Sequence, residues 1–527
     1  MKHNGLKSNV ILFLAVFLLY SFPGTAQSLP RLEVSPNKRY LVQQDGTTEG
    51  KPFFYLGDTG WEMLSRLTKA EVGNYFQIRK KQGFNVVLID SHNYTGTKGS
   101  KNYGLEYLSR EGFKPFQTGQ YFLPEGIIEN YWKHADWVIS AAERYGFYVA
   151  ILPYFGNKMV QKERGALINS VDVAYNWGYF LGNRYKDRTN MIWVLGGDYE
   201  PKDYKTGLFD LDEYLMPVAT AEGIADGING AARQFDQGKA DYSTSVMTYH
   251  ICSGVSSSKY YHDLKFLDFN AMQSGQYQAG SVANYRMVRE DYLRQPVKPT
   301  LDLEPWYETS VWYENIVAKK DGQRCTAFDV RRNAYRSVLA GALGFNYGNN
   351  NVWMFHRNNE NYEDRYLPNG EWTGDKGIYS EGASQLILMK NLFASRSNFQ
   401  CVPAQALIID TVAHRIDENR IQAALDENRA FAMAYIPTRQ SFHANLFLVE
   451  GDVACWWFNP VNGTLCNQSG NPTGKPFRVV REKKKTSASQ FISPSNQDWV
   501  LIIDDVSMEM PVPGSNAQNP EVILQNR

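Results

Sequence analysis

The sequence predicts an α/β fold, a (β/α)8 TIM barrel, followed by a C-terminal all-β sandwich domain. Three observations lead to this prediction. From residue 53 to about residue 390, short apolar runs alternate with helical patterns. The runs are continuously apolar, as strands of a parallel sheet covered by helices must be. After about residue 396 the helical period disappears, and short strands separated by turn residues follow one another.

Eight apolar runs are the predicted parallel strands. In chain order they are FFYLGDT, FNVVLIDSH, FYVAILPYF, NMIWVLGGD, STSVMTYH, LDFNAMQSG, KPTLDLEP and GFNYGNN. Eight strand–helix units fit a (β/α)8 barrel with loop insertions. A doubly wound open sheet is the alternative, but no glycine-rich phosphate loop follows the first strand.

Helical patterns lie between these strands. Thr68 is the predicted N-cap of one helix, Glu71 completes a capping box, and Gly83 is expected at its end. Two further helices are predicted in YWKHADWVISAAERYG and SVDVAYNWGYFLGNRYKD. The helices cover the outside of the predicted barrel.

The C-terminal strands are predicted from four short apolar runs. They are RAFAMAYIP, FHANLFLV, DVACWWFNP and DWVLIIDD, and they are typical of a β-sandwich. The predicted organisation is therefore a signal peptide over 1–26, a barrel over 27–396 and a sandwich over 397–527.

The N-terminus predicts secretion. A basic start is followed by an apolar run over residues 10–20 and by the small residues GTA at 24–26. This order is typical of a secretory signal peptide. We expect a soluble protein in the periplasm or outside a bacterium, with no membrane anchor.

Charge and cysteine content exclude several classes of function. The 55 basic residues balance 55 acidic ones, which argues against nucleic acid as a partner. Five cysteines are too few for a disulfide scaffold, although one bridge between Cys455 and Cys466 stays open. The chain has no C-x-x-C and no H-E-x-x-H motif, so neither a metal nor an organic cofactor is predicted.

Polar residues end the predicted strands, where barrel enzymes place their active sites. These residues are Asp58, Asp90, His92, Tyr154, Asp198, His250, Gln273, Glu304, Asn346 and Tyr347. Any one of them, taken singly, could instead be a helix cap. Together they predict a substrate pocket.

Asp198 and Glu304 are the predicted catalytic pair, because glycoside hydrolysis needs two carboxylates beside the scissile bond. Side-chain alternation along VLGGD places Asp198 on the same face as Val194, which is expected to be the inner one. The glycines before Asp198 are expected to leave room for a substrate ring and to let the backbone approach closely.

The same logic along TLDLEP places Asp302 and Glu304 inward and the two leucines outward. The alternative is a structural pair of buried acids. Glu200 and Glu308 are the main competitors for the catalytic roles, and Glu308 is expected to bind or to orient.

Four motifs resemble one known family. They are GKPFFYLGDTGWEMLSRLTKAEVGNYFQIRKKQGFNVV, NMIWVLGGDYEP, LDLEPWYE and RNAYRSVLAGALGFNYGNNNVW. They resemble the apiosidase-like glycoside hydrolases, glycoside hydrolase family 140. The segment with ACWWFNPVNGT is similar to the β-sandwich often fused to that barrel and labelled collagen-binding.

The resemblance implies a secreted bacterial enzyme that attacks plant pectin. It implies retaining endo-cleavage at apiose in rhamnogalacturonan II side chains, with Asp198 as acid/base and Glu304 as nucleophile. A retaining pair is expected to lie about 5–5.5 Å apart. The C-terminal domain is expected to supply no catalytic acid.

Further residues are predicted to bind the sugar, because aromatic rings stack on sugar faces and polar groups fix hydroxyls. They are Asp58, Trp61, His92, Tyr154, His250, Gln273, Trp306, Tyr307, Tyr347 and Trp353. A core position is an equal alternative for Trp61 and Trp353. Two other functions stay open: hydrolysis of another plant glycan, such as an arabinofuranoside, and glycan binding without catalysis.

Overall fold

The computed structural model describes thirteen segments of the chain. They are residues 28–91, 116–117, 119–120, 122–156, 167–203, 206–235, 240–275, 283–318, 320–358, 366–396, 401–410, 419–479 and 488–515. The predicted signal peptide and His92 lie outside them.

All eight predicted parallel strands are present. They follow a small antiparallel sheet of β1 (Leu32–Val34), β2 (Leu41–Gln43) and β3 (Lys51–Phe53). The parallel strands are β4 (Tyr55–Thr59), β5 (Val86–Asp90), β6 (Tyr148–Leu152), β7 (Met191–Gly196), β8 (Val246–His250), β9 (Asn270–Met272), β10 (Thr300–Asp302) and β11 (Gly344–Tyr347).

The parallel strands form two sheets. Six of them make a curled sheet in the order β11–β4–β5–β6–β7–β8, and β9 pairs with β10. Hydrogen bonds also join the two sheets at both edges: Asp268 N donates to Met247 O, and Leu343 N donates to Thr300 O, each at 2.9 Å.

One apolar cluster fills the inside of these strands. It contains Tyr55, Val86, Leu88, Tyr148, Ala150, Leu152, Ile192, Val194, Val246, Ala271, Leu301 and Leu343. Leu32, Leu41 and Phe53 of the antiparallel sheet belong to the same cluster. The small sheet therefore closes the end of the core at which the parallel strands begin, and the opposite end carries the polar residues.

Helices follow most of the parallel strands. They are α1 (Met63–Arg66), α2 (Lys69–Lys81), α3 (Glu129–Tyr145), α4 (Val171–Tyr185), α5 (Leu211–Asn229), α6 (Ser258–Tyr261), α7 (Asn284–Tyr292), α8 (Tyr313–Ala318), α9 (Ala327–Leu339) and α10 (Glu381–Ala394). The predicted start of α2 is confirmed, because Thr68 caps it and Glu71 completes the capping box. None of the described helices is both long and apolar enough to cross a membrane.

In its described residues, the C-terminal region is all-β apart from single 3-10 turns. Its strands are β12 (Cys401–Pro403), β13 (Gln422–Asp426), β14 (Phe431–Ile436), β15 (Ser441–Asn445), β16 (Val453–Phe458), β17 (Leu465–Cys466), β18 (Phe477–Val479), β19 (Ala488–Ile492) and β20 (Trp499–Asp505). Seven strands form one sheet, and β15 pairs with β19 in a second. Phe442 and Phe491 of the small sheet pack against Trp457 of the large one. All five cysteines are free thiols, including Cys455 and Cys466.

Buried ion pairs fix this region to the side of the α/β part. Arg331 of α9 donates to both carboxylate oxygens of Asp498, at 2.9 and 2.8 Å. Tyr335, one turn later, stacks on Tyr435 with ring centroids 5.1 Å apart. These contacts lie on an outer helix, so the C-terminal region supports the α/β part from its side.

Candidate active site

Asp198 follows β7 in an unusual backbone conformation. Gly196, Gly197 and Asp198 have φ angles of +87°, +108° and +47°, which is a run of three left-handed residues. The predicted alternation holds up to this run, because Val194 lies in the inner cluster and Trp193 in the outer one. Beyond Gly196 the pleat ends, so the left-handed run, and not alternation, sets the position of the carboxylate.

The two glycines are needed for close backbone approach. A Cβ atom on Gly196 would lie 2.3 Å from the carbonyl oxygen of His250 in the neighbouring strand β8. One on Gly197 would lie 3.0 Å from the backbone nitrogen of Gly156. The prediction of close approach is confirmed. The expectation of room for a substrate ring is wrong at these positions, because protein atoms occupy the space.

We expect Gly196→Ala to destabilise the protein by roughly 2–4 kcal/mol, from backbone strain plus the clash with His250 O. Gly207→Ala is the matched control, because Gly207 also has a positive φ of +67° but its Cβ would meet nothing within 4 Å. Denaturant unfolding of both variants measures the difference. If both variants lost the same free energy of unfolding, the close approach at Gly196 would not contribute to the destabilisation.

Glu304 reaches the same place from β10, but not by the predicted register. Leu301 and Leu303 belong to the inner cluster. Asp302 points outward, where its carboxylate accepts hydrogen bonds from Ser274 Oγ at 2.7 Å and from Asn284 Nδ2 at 3.2 Å. The expectation that Asp302 faces inward is therefore wrong. The strand ends at Asp302, so the pleat does not govern Glu304.

Asp198, His250 and Glu304 converge beyond the strand ends. One side-chain donor atom from each of the three lies within 4.8 Å of the other two. The closest carboxylate oxygens of Asp198 and Glu304 are thus no more than 4.8 Å apart, which lies on the short side of the spacing typical of retaining enzymes. The Asp198 side chain is 35% exposed and that of Glu304 is 7% exposed, so the pair borders solvent.

His250 lies between the two carboxylates. Its Nδ1 accepts a hydrogen bond from the Asp198 backbone N–H at 3.2 Å, which leaves the ring proton on Nε2. Nε2 lies 2.8 Å from Oε2 of Glu304. Burial opposes protonation of the ring, but the charges of Glu304 and Asp198 outweigh it and raise the pKa of His250. The imidazole therefore links the two acids electrostatically.

Comparisons with known proteins identify the family. A family model described as "Apiosidase-like, catalytic domain" matches residues 35–400, which is more than half of the chain. The chain belongs to the apiosidase-like family. A second model, for a domain named after collagen binding in a collagenase, matches residues 402–504. The predicted resemblance is confirmed for both parts.

Solved structures agree with this assignment. The apiosidase-like chain is 26% identical to a structure titled glycoside hydrolase, with a TM-score of 0.71 over 91% of this chain and 97% of that one. It is 27% identical to a glycoside hydrolase family 5 structure from Bacteroides vulgatus, with a TM-score of 0.73 over 90% and 94%. No protein with a curated description matches. The chain is a glycoside hydrolase, and its fold is TIM-like.

Several predicted sugar-binding residues of the apiosidase-like chain lie beside the three converging side chains. Trp61 packs edge-on against His250 with ring centroids 5.4 Å apart. Tyr307 lies close enough to Glu304 that burial, together with the Glu304 charge, keeps the pKa of its hydroxyl well above the usual range. Gln273 directly follows β9, and its buried Oε1 has no hydrogen-bond partner among the described residues. Trp353 belongs to the inner cluster.

Other predicted residues lie away from the acids. Asp58 is fully buried in an ion pair with Arg79 at 2.6 Å, so its placement differs from the expected sugar contact. Tyr154, Trp306 and Tyr347 pack in the outer cluster, between strands and helices. Tyr347 is the last residue of β11, whereas Tyr154 and Trp306 follow the ends of β6 and β10.

The two competing glutamates also have partners elsewhere. Glu308 accepts hydrogen bonds from Tyr347 Oη at 2.6 Å and from the backbone N–H of Gly382 at 2.9 Å, at the start of α10. Glu200 pairs with Lys202 at 2.9 Å and Lys259 at 3.1 Å. Neither carboxylate belongs to the group around His250.

Sequence reasoning missed Phe155, whose ring lies 5.7 Å from Trp61 and 6.5 Å from His250. It follows Tyr154 after the end of β6, where alternation no longer tells which residue faces inward. It also missed the lysines around Glu200. Lys202 follows Glu200 closely in the chain, but Lys259 comes from another loop and gives no sequence signal.

Proposed function

We propose that the protein is a retaining glycoside hydrolase with Asp198 as acid/base and Glu304 as nucleophile. The observation that carries the proposal is the approach of the two carboxylates to within 4.8 Å around His250. An inverting enzyme needs a separation of roughly 6.5–9.5 Å, because a water must fit between one acid and the sugar. The observed spacing favours direct attack on the anomeric carbon.

In this mechanism, the more exposed Asp198 protonates the leaving oxygen while Glu304 attacks the anomeric carbon. A covalent glycosyl–enzyme intermediate forms, and Asp198 then takes a proton from the water that hydrolyses it. Nε2 of His250 lies 2.8 Å from Oε2 of Glu304 and so helps to hold the nucleophile in place. Tyr307 keeps its proton and can donate a hydrogen bond beside Glu304.

We further propose that the substrate is plant pectin, with endo-cleavage at apiose in rhamnogalacturonan II side chains. The name of the matching family model supports apiose as the sugar. Hydrolysis of another plant glycan, such as an arabinofuranoside, is the alternative. The test is digestion of rhamnogalacturonan II, arabinan and other plant polysaccharides, with product analysis and with NMR of the first anomer released. Release of arabinose alone would contradict the apiose proposal, and a first product of inverted configuration would contradict retention.

The protein is expected to work without a metal ion, although the donor atoms of Asp198, His250 and Glu304 are close enough to hold one. Prolonged EDTA treatment should leave the rate of glycan hydrolysis unchanged, because protonation and nucleophilic attack by carboxylates need no Lewis acid. Added Zn²⁺ should inhibit, because it would occupy the same carboxylates. Loss of activity in EDTA that Zn²⁺ restores would show a metal-dependent reaction instead.

We also propose that the eight parallel strands close into a (β/α)8 barrel over residues 27–396 and that residues 397–527 form a sandwich. Two hydrogen bonds support closure: Asp268, two positions before β9, donates to Met247 of β8, and Leu343, directly before β11, donates to Thr300 of β10. The N-terminal sequence supports a signal peptide over 1–26 and export to the periplasm or beyond. Mass spectrometry of the exported protein should show that residues 1–26 are missing. An exported protein that still carries these residues would contradict the proposed cleavage.

A further inference from the structure

The strand that leads to Glu304 is short. β9 and β10 have three residues each and pair in parallel, whereas β7, which leads to Asp198, has six. Two backbone hydrogen bonds continue the ladder beyond β10. Leu303 N donates to Met272 O at 2.9 Å. Gly275 N donates to Glu304 O, also at 2.9 Å. The position of Glu304 thus depends on the segment that follows β9.

Asp302 ties this segment to β10 from the outer side of the sheet. Its Oδ1 accepts a hydrogen bond from Ser274 N at 3.3 Å, and its Oδ2 accepts one from Ser274 Oγ at 2.7 Å. Oδ2 also accepts from Asn284 Nδ2 at 3.2 Å, at the start of α7. Asp302, Ser274 and Asn284 are all fully buried. These hydrogen bonds are therefore shielded from competition with water.

Ser274 fixes the donor that holds Glu304, because Gly275 follows it directly in the chain. On its other side Gly275 packs closely against Ser253, since a Cβ atom on Gly275 would overlap the Ser253 hydroxyl. The backbone at Gly275 is thus confined between Ser253 and the contacts that Ser274 makes with Asp302. Its N–H is held in the direction of the Glu304 carbonyl oxygen.

We propose that Asp302 is a positioning residue for the nucleophile and that it acts through Ser274 and Gly275. The proposal rests on the proposed role of Glu304 as nucleophile. Asp302 faces away from the group around His250, so its carboxylate acts through the backbone and does not reach the substrate. It holds the end of β9 against the end of β10 and so sets where Glu304 leaves the strand. A nucleophile displaced by about 1 Å attacks the anomeric carbon far more slowly.

Asp302→Asn tests the proposal, because an amide cannot replace both acceptor oxygens. Whichever way it turned, its NH2 group would face another donor, either Ser274 N or Asn284 Nδ2. The rate of glycosyl–enzyme formation at saturating substrate, measured by rapid quench, should fall by roughly 10–100-fold. The half-saturating concentration should stay nearly unchanged. The loss should be equal for a natural glycan and for an activated aryl glycoside of the same sugar, because both need the nucleophile.

Asp291→Asn is the matched control. Asp291 is also a buried acid that accepts hydrogen bonds from two serine hydroxyls, those of Ser256 and Ser258, but it lies on α7. Its substitution should lower the melting temperature, while the folded fraction keeps its rate of glycosyl–enzyme formation. If Asp291→Asn slowed this step as much as Asp302→Asn does, Asp302 would be a structural acid and the proposal would be overturned.

Ser274→Ala is a milder change that tests the same contact, including the case in which Asp302→Asn does not fold. It removes the hydroxyl and keeps the backbone N–H, so the rate of glycosyl–enzyme formation should fall by about 3–10-fold. A double variant with Asp302→Asn should lose no more than Asp302→Asn alone, because both changes act through one contact. An unchanged rate in the folded Ser274→Ala protein, or losses that multiply in the double variant, would overturn the proposal.

Glu304→Ala distinguishes the failure of this inference from that of the proposed function. If Glu304→Ala is inactive while folded Asp302→Asn keeps its full rate, Glu304 remains the nucleophile and the positioning role of Asp302 is wrong. If folded Glu304→Ala keeps its activity, the nucleophile assignment is wrong and the inference that rests on it is overturned as well.

Discussion

Glu304→Ala should abolish hydrolysis of every substrate, with kcat reduced by roughly 10⁵-fold or more. Without the carboxylate no covalent intermediate can form, and a good leaving group does not compensate for a missing nucleophile. Steady-state rates on a natural glycan and on an activated aryl glycoside measure the loss. Added azide should restore turnover of the aryl glycoside and give a product of inverted configuration, because azide then attacks in place of the carboxylate.

Glu308→Gln is the matched control for this variant. Glu308 is also a buried acid just beyond β10, but it accepts hydrogen bonds at the start of α10 and lies outside the group around His250. Its substitution should lower the melting temperature while the folded fraction keeps its kcat. If Glu304→Ala behaved in the same way, Glu304 would be a structural acid and the nucleophile assignment would be wrong.

The sequence was sufficient to predict the order and type of the elements. Continuously apolar runs predicted all eight parallel strands, and Thr68 with Glu71 predicted the start of α2, because both signals depend on local chemistry. Closure of the strands into one barrel depends on contacts between distant segments. In the structure six strands form one sheet and two form another, and only a few hydrogen bonds join the two sheets at each edge.

The candidate site was predictable in composition but not in geometry. Alternation held for Val194 and Trp193 within β7, but it was wrong for Asp302, since two leucines fill the inside at that level and Asp302 bonds toward α7 instead. Asp198 and Glu304 lie after the last residues of their strands, where side-chain alternation no longer predicts which way a residue faces.

The loss of alternation at strand ends also explains why other residues face a different way from the one expected. A polar or aromatic residue at a strand end can face either side of the sheet. Asp58 faces outward because Arg79 of α2 provides a buried partner, and nothing in the local sequence around Asp58 shows that pairing. His250 was predicted to contact the sugar, and that stays a prediction; its position between two carboxylates could not be predicted, because it depends on how three strands are aligned.

Asp198→Ala should have an effect that depends on the leaving group. Hydrolysis of a natural glycan should fall by roughly 10²–10⁴-fold, because its leaving oxygen needs a proton. The rate at which an activated aryl glycoside forms the glycosyl–enzyme intermediate should fall far less, because its phenolate leaves without protonation. The left-handed run over 196–198 leaves the Asp198 side chain 35% exposed. This exposure suits the proposed role, because an acid/base group must exchange protons with both the leaving group and water.

Azide separates this role from that of Glu304. In the Asp198→Ala protein azide should react with the glycosyl–enzyme intermediate and give a glycosyl azide of retained configuration, because two displacements have then taken place at the anomeric carbon. Asp203→Ala is the control, because Asp203 follows Asp198 closely in the chain and its carboxylate accepts hydrogen bonds from Thr206 N and Thr206 Oγ1, both at 2.7 Å. Its rates should equal those of the unsubstituted protein. If Asp198→Ala stays folded and loses activity equally on all substrates, without azide rescue, Asp198 is not the proton donor.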